Sequence, residues 1–475
     1  MINHEIRART LMIRKPTFIP LSILTLFLAS APAGAGPLRL LASGGPESAF
    51  GIITFSESDI DLQRPADLLS LSRGRFAFNR EYESIIKQKK GDRMLNLGAA
   101  RKQRIEFAYP FNESDKYRSA FGGNLYSSNM KFLTTEKLGE TALYDKGAGG
   151  AAAFAQQFGR FSLGVFRNTS GNNGIGSSSD INNWVYLLSD DAEIFTSLGA
   201  RREGFQAKAD ISKRISAGFL EEKDDIRGRI SFADAEDNFS IPATLGGGRR
   251  ELSLTYGPSS RYDFNAFFNH GGFDNLGRDS ITYNSAAKIG FWFSKGEYDS
   301  KSFVLTKRSS ENKIMNFGYE DYSGYYWLLG EIKPINIINL LNPAYPFNSH
   351  GYLNRHTYKY SLRKKKGNYT YRFMYAYSQG DAFMHFRSLR RVFFSYTEMS
   401  NERMYYDYTQ HQLGLGIEKT IRKNTLFRYS LLQTVPLLEK REEQTVSPGG
   451  PSAAPSEKKK TRGGTLHLFS VIFLL

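Results

Sequence analysis

The chain has 475 residues, of which 23% are charged and 14% aromatic, with no cysteine. Lack of cysteine excludes disulfides, thiolate metal sites, covalent haem attachment through Cys-x-x-Cys-His and a lipidated cysteine, and the charge content argues against global disorder. The mean hydropathy of −0.42 is too polar for a helical membrane protein of this size, but a barrel hides its membrane signal in alternation.

The N-terminus reads as a secretory signal over residues 1–35. Arg7, Arg9, Arg14 and Lys15 form a positive region, and Phe18 to Ala29 is a short apolar core interrupted by Pro20. Ala33-Gly34-Ala35 offers a small-residue cleavage site, and the core is short of the ~20 apolar residues of a helical span. The net charge is +16; removing the signal, with its four basic residues and Glu5, leaves +13. Export makes nucleic acid a poor partner for that excess. Anionic headgroups or anions passing a lumen suit it better.

Residues 36–72 are mixed in character, and Pro65-Ala66-Asp67-Leu68-Leu69 can begin a short helix. The segment reads either as a periplasmic extension or as a plug folded into a lumen.

From Gly74 onward a two-residue period recurs. Ile105, Phe107 and Tyr109 alternate with Arg104, Glu106 and Ala108. Phe161, Leu163 and Val165 alternate with Ser162, Gly164 and Phe166. Phe205, Ala207 and Ala209 oppose Gln206, Lys208 and Asp210, and Leu252, Leu254 and Tyr256 oppose Glu251, Ser253 and Thr255. Tyr262, Phe264 and Phe268 oppose Asp263, Asn265 and Phe267. The clearest case is Tyr352 to Ser378. Tyr358 and Tyr360, then Tyr369, Tyr371, Phe373, Tyr375 and Tyr377, share one face, and Arg355, Lys359, Arg363 and Arg372 the other. A soluble core rarely buries so many phenolic hydroxyls, because each needs a partner. Facing lipid, the tyrosines keep their rings in hydrocarbon and their hydroxyls among headgroups. Leu413, Leu415 and Ile417 oppose Glu418, and Phe427 and Tyr429 oppose Arg428.

The connections have two lengths. Tight turns are read at Phe158 to Arg160, Lys213 to Ser216, Gly257 to Ser260, Lys364 to Asn368 and Arg422 to Asn424. Long polar loops are read at Asn168 to Asn183, Ala233 to Arg249, Gln379 to Arg387 and Glu439 to Gly464. The last, residues 439–464, has a composition that builds no core and is expected to be a disordered external loop. Residues 465–475 then form an apolar closing strand.

This end resembles the C-terminal assembly signal of bacterial outer-membrane proteins: Phe469, Val471, Phe473 and Leu475 hold the alternate positions, with leucine where phenylalanine is usual. The resemblance is to the broad class of porin-like outer-membrane barrels, spans about Gly74 to Leu475 by pattern, and points to no particular family. It implies residence in the Gram-negative cell outer membrane, contact with its lipids, and use of the export and barrel-assembly machinery. It leaves room for a homo-oligomer. The expected fold is all-β: a transmembrane antiparallel up-and-down barrel over residues 73–475. Roughly 400 residues at about 25 per strand give ~16 strands, within a range of about 14 to 18.

The polar face supplies candidate lumen-lining residues: Arg355, Lys359, Arg363, Arg372, Lys208, Arg428, Asp210, Asp263, Glu251 and Glu418. Arginines over such a wall favour anions, unless they pair with the carboxylates. No His-x-x-x-His, His-Glu-x-x-His or phosphate-loop pattern occurs, and neither Ser–His nor Asp–His catalytic patterns stand out locally. No metal, cofactor or enzymatic activity is therefore expected. Asp190, Asp191, Asp234, Glu236 and Asp237 read as solvated loop charge.

The leading functional expectation is passive passage of small solutes, including anions, through a hydrated lumen. The alternatives are transport of hydrophobic compounds through a hatch-plugged barrel, for which Phe267 and Met374 offer apolar lumen surface, and a non-transporting scaffold for adhesion or for sheathing a periplasmic partner. N-terminal sequencing of the exported protein is expected to read Gly36 first; an intact Met1 would turn the signal into an anchor.

Overall fold

The computed structural model of the protein describes residues 62–475, outside the stretches 91–92, 112–116, 134–141, 178–192, 234–237, 284–285, 335–343, 393–394, 448–449, 455–457 and 460–461. The signal segment, residues 36–61 and the five loop carboxylates named above lie outside the described residues.

After a short 3-10 helix, Pro65–Ser70, the chain is strand. The strands are β1 Arg75–Lys90, β2 Arg93–Phe111, β3 Tyr117–Leu133, β4 Ala142–Phe158, β5 Phe161–Ser177, β6 Glu193–Asp210, β7 Ile215–Ala233, β8 Asn238–Ser259 and β9 Tyr262–Tyr283. They continue as β10 Ala286–Ser310, β11 Lys313–Pro334, β12 Tyr345–Lys366, β13 Tyr369–Val392, β14 Ser395–Arg422 and β15 Thr425–Ser447. Two short pieces, β16 Gly450–Ala454 and β17 Lys458–Lys459, add to β15 before the last strand, β18 Arg462–Leu474.

Each long strand pairs antiparallel with its predecessor, and β1 pairs with both β2 and β18. β18 in turn pairs with β15 from Thr425↔Phe473 to Gln433↔Thr465. Sixteen long strands thus close an up-and-down barrel without a free edge. Closure lets the wall pair its backbone amides and carbonyls strand to strand, which hydrocarbon demands. With apolar rings outside and polar side chains inside, this is an outer-membrane barrel.

The alternation fixes which face is which. Phe76 and Phe78, Ile105 and Tyr109, Leu163 and Val165, Leu252 and Leu254, and Phe264 and Phe268 are exposed outside, while Asn79, Arg104, Glu106, Glu251 and Asn269 are buried inside. Tyr358, Tyr371 and Tyr375 are likewise exposed, and the register carries Tyr360, Tyr369, Phe373 and Tyr377 on the same outer face. At the closing strand Phe469, Phe473 and Leu475 are exposed and Ile472 is fully buried. The Leu475 amide donates to the Gly74 carbonyl at 2.8 Å.

The polar stretches read as long loops are largely strand, which is a correction. β13 runs unbroken through Gln379 to Arg387, β8 begins at Asn238, β5 reaches Ser177, and β15 continues through Glu439 to Ser447. Nor is 439–464 a loop throughout, since it also holds β16 and β17. The reason is length. A tilted strand crosses the bilayer in ~9–11 residues, and β14 has 28. Beyond the hydrocarbon both faces of the wall meet water, so polar residues extend the ladder without ending it.

Several inward rings lie flat across a glycine of the neighbouring strand. Tyr298 covers Gly271, Phe273 covers Gly296, Phe347 covers Gly330 and Tyr126 covers Gly149. Such pairs shield a backbone left bare by glycine and hold the ring against the wall. A Cβ added at Gly330 would stand 2.2 Å from the Phe347 ring. Gly330→Val is therefore expected to lower barrel stability by about 1–3 kcal/mol through overpacking. Denaturant unfolding in micelles checks this, and restoration by Phe347→Ala in the same background would assign the cost to that contact.

Candidate functional site

The lumen is the site. Residues 62–71 lie inside it, against the half of the wall formed by β2 to β9. Pro65 opens the 3-10 helix, where its missing N–H costs nothing. Leu62, Leu68 and Leu69 pack on Ala108, Ala120, Ala153, Ala155, Phe166 and Leu220, with Leu71 and Ala151 at the margin. Small inward residues on successive strands make the seat. A Cβ at Gly122 would meet Leu62 at 2.9 Å, and one at Gly164 would meet the Pro65 ring at 2.6 Å.

Polar contacts lock this segment in orientation. Arg64 Nη2 donates to Glu251 Oε2 at 2.7 Å, and its guanidinium lies 5.0 Å from the centre of the Phe267 ring. The Ala66 amide donates to Gln206 Oε1 at 2.9 Å, and Arg202 Nη1 donates to Gln63 Oε1 at 3.3 Å. Glu251 is 2% exposed, so without Arg64 its charge would be left without this ion-pair partner inside the protein. Asp67 and Ser70 are exposed, and the Ser70 hydroxyl donates to the Asp67 carbonyl at 2.7 Å. Because Gln206, Glu251, Gly122 and Gly164 lie toward the tight-turn end of their strands, this segment sits toward the tight-turn end of the barrel.

The remaining candidates sort by register. Arg355 and Lys359 flank one carboxylate, Glu320, each at 3.7 Å, and the Arg355 guanidinium lies 5.3 Å from the Tyr322 ring centre. Arg428 is 3% exposed and pairs with Glu418 at 3.2 Å. Asp263 pairs with Arg308. Arg363 and Arg372 stand opposite each other across β12 and β13. Lys208 and Asp210 are exposed near the turn after β6. Further inward pairs join Arg249 to Glu222 at 2.9 Å, Arg202 to Asp224, and Arg104 to Glu81 at 3.5 Å. Much of the luminal charge is thus compensated by a neighbour one strand away.

Between these pairs lie apolar clusters that join non-adjacent strands across the lumen. Val304 of β10, Met374 of β13 and Leu432 of β15 pack together, with Leu466 of β18 against them. Nearer the loop end, Phe273 of β9, Tyr326 of β11 and Met384 of β13 form another, with Ile226 of β7. Sequence reading singled out Phe267 and Met374 but missed Arg64, Glu320 and the glycine seat. The available signal was a run of alanine and glycine at inward positions of β2 to β5.

No protein-family model and no curated protein matches this sequence. Among solved structures the chain is similar to the Ralstonia pickettii toluene transporter TbuX, at 11% identity, covering 93% of this chain and 98% of that one, with a TM-score of 0.43. It is similar to a Pseudomonas aeruginosa FadL homologue at 12% identity, covering 91% and 97%, with a TM-score of 0.44. The ferric yersiniabactin uptake receptor FyuA from Yersinia pestis is similar at 6% identity, covering 85% and 80%, with a TM-score of 0.39. At these values the likenesses add nothing to the strand pairings already described.

Gly164→Leu should unseat the plug, because its side chain claims the space of the Pro65 ring. Cleavage near residues 62–73 by a protease added to the purified protein is expected to quicken roughly ten-fold, equivalent to about 1.4 kcal/mol of seating energy. Unchanged cleavage would place the plug's anchorage elsewhere.

Proposed function

We propose that this barrel carries small hydrophobic solutes passively across the outer membrane, with the N-terminal segment acting as a hatch in the periplasmic half of the lumen. The observation that carries this reading is the apolar surface inside the wall at two levels: Phe273, Tyr326, Met384 and Ile226 toward the loops, and Val304, Met374, Leu432 and Leu466 below. A hydrated sieve for ions has no need of such surface. A hydrophobic solute gains roughly 0.8 kcal/mol per buried methylene, so a six-carbon molecule gains up to about 5 kcal/mol on leaving water for these clusters.

The pairing of luminal cations supports the same reading over an anion filter. Arg355 and Lys359 share Glu320, and Arg428 has Glu418, so the cationic strip on β12 and its neighbours is partly neutralised in place. The plug stands on the opposite side from the lower apolar cluster. A path past that cluster reaches the hatch margin at the tight-turn end.

The test is uptake of a radiolabelled aromatic hydrocarbon into proteoliposomes, with chloride conductance measured on the same preparation. Uptake is expected to exceed that of protein-free vesicles. The double variant Met384→Asp, Leu432→Asp should reduce it at least about five-fold, because each carboxylate removes apolar surface and binds water. Alanine at Arg355, Lys359, Arg363 and Arg372 should leave uptake largely unchanged. A steady chloride-selective conductance without hydrocarbon uptake, abolished by those four alanines, would overturn the proposal in favour of an anion pore.

A further inference from the structure

The inward face of β11 to β13 carries more positive than negative charge. From Ile314 to Tyr322 on β11, Arg355 to Arg363 on β12 and Thr370 to Ser378 on β13, the inward positions hold Arg355, Lys359, Arg363 and Arg372 against one carboxylate, Glu320. Glu320 faces Thr357 across the ladder, and Arg355 and Lys359 are the inward neighbours on either side of Thr357. Arg355 Nη2 approaches Glu320 Oε1 and Lys359 Nζ approaches Oε2, each at 3.7 Å. Two cations thus straddle a single carboxylate, one at each oxygen. At Arg428 with Glu418, and at Arg249 with Glu222, the match is one to one.

Arg355 is backed by rings. Its guanidinium lies 5.3 Å from the Tyr322 ring centre, Tyr322 stacks on Tyr298 at 5.8 Å, and Tyr298 covers Gly271. This stack runs from β12 back to β9 and holds the guanidinium in place by cation–π attraction. The side chains of Arg355, Lys359 and Glu320 are 14% to 16% exposed, so the trio meets the lumen. Beside it, Arg355 Nε and Ser302 Oγ are buried without a hydrogen-bond partner among the described residues. Ser302 is the ladder partner of Glu320 on β10. A buried donor without an acceptor carries an uncompensated desolvation cost.

The trio lies between the two apolar clusters, along the same strands. Val304 of the lower cluster and Lys359 share Gly318 as ladder partner. Tyr326 and Met384 of the upper cluster both face Gly351, which is four residues, or ~13 Å of strand, from Arg355 toward the loop end. A hydrocarbon moving from one cluster to the other meets charged groups here that offer it nothing. An acid meets cations for its carboxylate while its body stays on apolar surface.

We propose that the trio is a binding site for hydrophobic monocarboxylates, with the carboxylate held between Arg355 and Lys359 and the apolar body resting on Val304 and Met374. The assignment rests on the hydrophobic path proposed above and adds an acidic head to the solute. Entry of the acid makes two carboxylates for two cations. Glu320 keeps one partner, the solute takes the other, and the charges stay compensated. The planar guanidinium presents paired donors to a carboxylate, and Arg355 Nε gains an acceptor. Glu320 competes with the solute for the same two cations and so sets how tightly the acid is held.

The test is equilibrium dialysis of the full-length protein in nanodiscs at about pH 8, with radiolabelled phenylbutyrate, which is ionised there, and with its uncharged primary amide. Protein-free nanodiscs give the background. The acid is expected to bind at least about ten-fold more tightly than the amide. The triple variant Arg355→Met, Lys359→Met, Glu320→Gln removes the whole trio without stranding a charge, and should cut that preference to under about two-fold. Glu320→Gln alone should tighten acid binding about three-fold or more, because both cations then serve the solute; a purely structural trio would show no such gain. Folding is read from heat-modifiable gel mobility. If either variant fails to fold, Lys359→Met alone must lower the preference at least about three-fold, and an unchanged preference there rejects the assignment. Equal binding of acid and amide would overturn the carboxylate site and leave the hydrophobic path standing, whereas binding of neither would overturn both. A preference that survives the triple variant, or one that is lost in Arg363→Met, Arg372→Met, also rejects the site.

Discussion

Closure of the sheet is the constraint on which everything else rests. β1 must meet β18 along twelve paired positions, from Arg75↔Leu474 to Lys87↔Arg462, or an edge of unpaired amides would face hydrocarbon. That requirement explains why an apolar strand returns after the polar tract of β15 to β17. It also fixes the inside and outside of every strand, because one ring of pairings leaves no freedom to flip a single strand.

Once closed, sixteen strands enclose more space than wall side chains fill unaided. The protein handles this interior in three ways. Rings such as Tyr298 and Phe347 are laid flat over glycines. Cations are set beside carboxylates on the next strand, which avoids uncompensated charge in a confined space. The third device is the segment 62–71, which uses small wall residues as a seat and Arg64 as a clasp. The apolar clusters left between these devices are the surface on which the proposed hydrophobic path depends.

How much of this was legible depends on distance along the chain. The tyrosine face from Tyr369 to Tyr377 reveals itself within nine residues, so the barrel, the approximate strand number and the inward or outward sense of Arg372 or Glu251 could be read directly. The partner of Arg355 could not. Glu320 lies on a neighbouring strand, and finding it requires the β11–β12 register, which alternation does not supply. The plug seat was hidden for the same reason: Gly122 and Gly164 are ordinary strand glycines until Pro65 and Leu68 are known to lie on them. The stretch Gln379 to Arg387 misled because polarity was equated with irregular backbone. In a wall that outgrows the membrane, polarity reports only where hydrocarbon ends.

The wall is not of even height. β1 to β7 have 16 to 19 residues, whereas β8 to β15 have 22 to 28. The paired rim therefore slopes, and its opening is tipped toward the low side. Among the described residues the paired wall is thus taller on the β8-to-β15 side than on the β1-to-β7 side, so the lumen presents one long inner face and one short one.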